Sequence, residues 1–145
     1  MAEKYFNHPR RFPLNVVGPF YTTGHPRIDG GMTGDCLVCH GPEHEAPELL
    51  AELDDNNSDT YFVRQPENFL EIEKACNAIK VCCVAALRYG GRQKFIIRML
   101  GNSPEFCDYL INDDDEFVLC VDKYGELLPF AQDILDDIIK RRTNQ

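Results

Sequence analysis

Glu67 to Gly91, ENFLEIEKACNAIKVCCVAALRYGG, is the stretch from which the rest of the chain is read. Phe69, Ile72, Cys76 and Ile79 recur at steps of three and four, the spacing that lines side chains along one face of an α-helix. Glu67, Glu71, Glu73, Lys74 and Lys80 fall on the other faces. Asn68 with Glu71 three residues later forms a capping pair, so a helix is expected over 67–81. That helix runs directly into Val81-Cys82-Cys83-Val84-Ala85-Ala86-Leu87, and Gly90-Gly91 ends the unit.

Upstream, Asn15 to Tyr21 is expected as a short strand and His25 to Gly34, HPRIDGGMTG, as a loop by composition. Ala46 to Leu53, APELLAEL, predicts a short helix with Pro47 in its first turn, where a missing N–H does no harm. Asp54 to Asp59 is a polar turn. It lacks the glycine and the closing glutamate of a calcium loop, so a solvated turn is the better reading. Thr60 to Arg64 is a strand stopped by Pro66. Downstream, Arg92 to Leu100 is expected as a helix ending at Gly101. Glu116 to Asp122 is expected as a strand, and Leu127 to Arg142 as an amphipathic helix whose basic end suits the dipole. The order strand–loop–helix–strand–helix argues for an α+β fold.

The chain has 145 residues, enough for one domain with a sizeable core. Apolar residues make up 43% and charged residues 27%, which is globular composition rather than a disordered one. No apolar run approaches the roughly 18 residues a membrane-spanning helix needs. The opening residues MAEKYFNHPRRFPLN contain no apolar segment of the kind an export signal carries, so a cytoplasmic location is expected. Fifteen Lys and Arg against 24 Asp and Glu give a net charge of −9. That balance argues against nucleic acid as the main partner, since phosphate contacts need clustered cations. It suits a protein partner with a basic face.

Seven cysteines are many for such a chain, and an odd number fits a fully paired disulfide scaffold poorly. In a reducing compartment they point to metal, cluster or thiol chemistry. Cys76 falls on the helical stripe and Cys120 alternates with valines, so both are expected in the core, while Cys107 is open. The segment DCLVCHGPEHEAPELL supports three chemistries. Cys36-Leu37-Val38-Cys39-His40 matches the c-type haem attachment pattern. Cys36 and Cys39 alternatively supply half of a tetrahedral zinc site, which would need a second pair from His40, His44, Cys82 or Cys83. The third chemistry is an iron–sulfur cluster.

Cys36-x-x-Cys39-x-x-Pro42-x-x-x-Ala46-Pro47-Glu48, an acidic turn, a strand, a helix and then Cys82-Cys83-Val84-Ala85-Ala86-Leu87 resemble a single-cluster bacterial ferredoxin over about residues 15–91. The resemblance implies a ferredoxin-like unit over 1–91, with short strands, a cluster loop and a helix; residues 92–145 have no counterpart in that family and are expected as a C-terminal strand–helix extension packed on the same domain. It implies that Cys36, Cys39 and Cys82 are cluster ligands. The sequence departs from that family at two places. Pro42 stands at the third ligand position, and Cys83 stands where a proline follows the remote ligand. Cys83 is the expected fourth ligand, with His40, Glu43 and His44 as substitutes. Either a four-iron or a three-iron cluster is compatible with this donor set. The function implied is a one-electron carrier between a reductase and an acceptor enzyme, and not an enzyme in its own right. No nucleophile elbow, dinucleotide fingerprint or P-loop is present. The alternatives are a cluster-free acidic interaction or regulatory protein, and a thiol redox sensor.

Overall fold

A computed structural model describes residues 5–34, 45–52, 60–82 and 86–121. Among these residues the fold mixes two helices with four small antiparallel two-stranded sheets. The strands are β1 (Phe20–Thr22), β2 (Gly24–Pro26), β3 (Met32–Gly34), β4 (Leu50–Glu52), β5 (Thr60–Phe62), β6 (Leu87–Tyr89), β7 (Tyr109–Ile111) and β8 (Phe117–Leu119). The helices are α1 (Phe69–Val81) and α2 (Lys94–Met99). β1 pairs with β6, placing Phe20 opposite Tyr89 and Thr22 opposite Leu87. The other pairs, β2–β3, β4–β5 and β7–β8, are sequential.

α1 forms much as its spacing predicts. The Asn68 side chain caps it by accepting the Glu71 N–H at 2.9 Å. Glu71 accepts the Glu67 N–H at 2.8 Å and holds Arg64 through both carboxylate oxygens, at 2.9 and 2.6 Å. Ala75, Cys76, Ala78 and Ile79 are buried. Phe69, expected on the buried stripe, is instead 59% exposed and stacks on Phe95 with ring centroids 6.4 Å apart. It is the first residue of the helix, where the stripe has run past the edge of the core.

Other expectations need correction. The strand expected over Asn15–Tyr21 is displaced to Phe20–Thr22, because Gly18 takes a φ of +145° and Pro19 follows it. The loop expected over His25–Gly34 is a hairpin, β2–β3, closed by Arg27 N–H to Gly31 C=O at 2.7 Å. The helix expected over Ala46–Leu53 is one turn followed by β4. The Leu49 and Leu50 N–H groups both reach Ala46 C=O at 3.1 Å, and then Leu50–Glu52 pair with Thr60–Phe62. Leu49, Leu50 and Phe62 all enter the core, and pairing with β5 gives β4 backbone partners where a short, lone helix would be marginal. The helix expected over Arg92–Leu100 is present as Lys94–Met99 and stops at Gly101, whose φ is +80°, with the Asn102 N–H returning to Ile97 C=O. The strand expected over Glu116–Asp122 is β8, paired with β7, which the sequence pattern alone does not suggest. The segment Leu127–Arg142 lies outside the described residues.

Asn15 joins two of the sheets. Its Nδ2 donates to the carbonyls of Phe12 (2.7 Å) and Thr22 (2.9 Å). Its Oδ1 accepts the N–H groups of Thr22 (3.1 Å) and Phe62 (2.9 Å). One side-chain amide therefore satisfies backbone groups of both β1 and β5, which share no ladder. The Thr22 hydroxyl, donating to Thr60 C=O at 2.9 Å, reinforces the join. The core then runs continuously from Phe20 and Phe62 through Ile79, Leu87 and Tyr89 to Leu110.

Candidate functional site

Of the proposed ligands, Cys82 is the one that falls within the described residues. Cys36, Cys39, His40, Glu43, His44 and Cys83 lie outside them, as does Pro42. Cys82 caps the C-terminus of α1 with extended backbone (φ −66°, ψ 117°). The helix therefore ends at Cys82. The Cys82 side chain is buried, and its Sγ accepts the Ala86 N–H at 3.4 Å. An N–H directed at sulfur favours electron density there, as sulfur-ligated centres need.

The surrounding backbone anchors the segments that flank this thiol. Ala86 C=O accepts both the Thr23 N–H (2.8 Å) and the Thr23 hydroxyl (3.2 Å). The next residue, Gly24, lies opposite Gly34 in the β2–β3 register. Gly34 is thus tied, across one strand pair and one chain bond, to the residue whose N–H meets Cys82. Ala46 is fully buried in the same core cluster as Cys82. Gly34 and Ala46, on either side of residues 35–44, are therefore held by the part of the fold that holds Cys82 and Ala86.

The other described cysteines do not share this setting. Cys76, Cys107 and Cys120 are fully buried, in line with the core role expected of Cys76 and Cys120, and Cys107 joins them. Burial pushes the Cys76 and Cys107 thiols up to about 12, so both stay protonated and unreactive at neutral pH. Among the described residues, no group of three or more His, Cys, Asp or Glu side chains is placed to hold a metal ion.

Sequence reading missed a buried polar network. Arg88, in the middle of β6, donates from Nε to Asp108 Oδ1 at 3.0 Å and from Nη2 to the same oxygen at 2.9 Å. Its remaining donors reach the carbonyls of Glu105 (2.9 Å) and Cys107 (3.1 Å). Tyr21 donates its hydroxyl to Asp108 Oδ2 at 2.5 Å. Burial, and then the adjacent Asp108 carboxylate, hold the Tyr21 hydroxyl well above its usual range. Arg11 lies 5.1 Å from the centroids of both the Tyr5 and Tyr21 rings. The network ties β1, β6 and the segment before β7 into one body. The Asp108 carboxylate is engaged by Arg88 and Tyr21, and the guanidinium by Asp108 and two backbone carbonyls, which is structural chemistry. The only sequence signal for it is an arginine between two core positions in Leu87-Arg88-Tyr89.

A groove of about 350 Å³ opens elsewhere, between the approach to β1 and the starts of α1 and α2. Val17, Pro19, Phe20, Ile72, Phe95 and Ile96 line its apolar wall. The Gln65 amide closes its floor by pairing with Phe20, accepting the backbone N–H at 3.0 Å and donating to the C=O at 2.8 Å.

No described helix is long and apolar enough to cross a membrane. Compared with protein-family models, curated proteins and solved structures, the chain matches none.

Proposed function

We propose that the protein is a one-electron carrier that holds an iron–sulfur cluster through Cys36, Cys39, Cys82 and Cys83, with His40, Glu43 and His44 as substitute donors for the position Pro42 vacates. The observation that carries this reading is the setting of Cys82: a buried thiol at a helix end that receives a backbone N–H on its sulfur. Four soft thiolate donors suit iron–sulfur clusters, and also zinc. A bound cluster would supply the one-electron redox chemistry. The chain's own contribution is to exclude water around Cys82, to keep the thiolate oriented by the helix end and the Ala86 N–H, and to anchor the flanks of the 35–44 segment through Thr23, Gly24 and Ala46. Burial and N–H donation to sulfur both tune the potential of such centres. The acceptor or donor would be a protein with a basic docking face, in keeping with the net charge of −9, and the setting would be the cytoplasm.

The test is anaerobic purification followed by an absorption spectrum and assays of iron, sulfide, zinc and haem on the same sample. Broad absorbance near 400 nm with iron and sulfide in similar amounts supports the proposal. Zinc without sulfide, covalent haem, or a folded metal-free protein each overturns it. The last of these would direct attention to the interaction-protein and thiol-sensor readings.

A further inference from the structure

We draw no further inference here: the strongest candidate, the apolar groove lined by Val17, Pro19, Phe20, Ile72 and Phe95 between the approach to β1 and the starts of α1 and α2, is an unpartnered face, and nothing in the structure shows what covers it.

Discussion

Arg88 and Asp108 form an ion pair closed to solvent, with side chains 1% and 0% exposed and Nη2 2.9 Å from Oδ1. The pair links β6 to the segment that leads into β7, and Tyr21 brings β1 to the same carboxylate. Such a pair costs desolvation to form, yet it is expensive to break from one side, because the surviving charge is left buried without a counterion.

Asp108→Asn keeps an acceptor for Tyr21 but removes the counter-charge of Arg88. It is expected to lower unfolding free energy by about 3–5 kcal/mol in urea titrations. Replacing both partners, as Arg88→Met with Asp108→Leu, is expected to cost less than the sum of the single changes. Additive losses would show that the two charges do not stabilise each other.

Asn15→Leu is similar in size but leaves the Thr22 and Phe62 N–H groups without their acceptor, while the Phe12 and Thr22 carbonyls keep the backbone N–H groups of residue 15 and Phe12. Each orphaned buried group costs about 1–3 kcal/mol, so a total loss of about 2 kcal/mol or more is expected in thermal or urea unfolding. A loss below about 1 kcal/mol would mean that β1 and β5 are held together by apolar packing alone.

Alkaline pH acts on Cys76 and Cys107. Their thiols rise from an ordinary 9.0 to about 12 in the folded protein. The folded state therefore favours the neutral form. This contribution is fully present below pH 9 and is lost progressively as pH rises toward 12. Tyr21, shifted in the same direction, adds to the decline above its ordinary value of 10.0. Each thiol contributes a slope of about 1.4 kcal/mol per pH unit in that window. Urea titrations under reductant between pH 8 and pH 11 check this: Cys107→Ala should flatten the profile, and an unchanged slope would count against its burial.

Gly18 has a φ of +145°, and a Cβ there would lie 2.3 Å from Gln65 Cδ, the amide carbon that pairs with Phe20. Gly18→Ala thus combines backbone strain with displacement of a hydrogen-bonded side chain. A destabilisation of about 1–3 kcal/mol is expected by thermal unfolding. A fully stable variant would mean that Gln65 gives way freely.

On the proposed cluster reading, Cys82→Ala would abolish retention of iron and sulfide, while Cys76→Ala would keep both, because Cys76 is a core side chain on the stripe of α1. Iron, sulfide and far-ultraviolet circular dichroism measured on both variants separate loss of the cluster from loss of the fold. Equal retention by the two variants would remove Cys82 from the ligand set.

The legibility of the candidate site was uneven for a physical reason. The end of α1 at Cys82 follows from local pattern, since an apolar stripe, a cap and a basic last turn all concern residues within a few positions of each other. That Cys82 is buried against Ala86, and that Ala86 is tied to Thr23, depends on β1 lying beside β6, a pairing across more than sixty residues of chain. Arg88 in Leu87-Arg88-Tyr89 carries no local signal of burial. Its partner Asp108 sits after a further helix, and no spacing rule connects them.

By itself, the sequence determined α1 and its Asn68 cap, the stop of α2 at Gly101, and the burial of Cys76 and Cys120. These rest on backbone preferences and side-chain periodicity, which are properties of adjacent residues. Tertiary structure alone decided that Leu50–Glu52 is a strand and not a helix, that His25–Gly34 folds into a hairpin, and that Asn15 stitches β1 to β5. A short segment has too few local hydrogen bonds to settle its own conformation, so it takes the one in which neighbouring chain completes its backbone bonds and covers its apolar side.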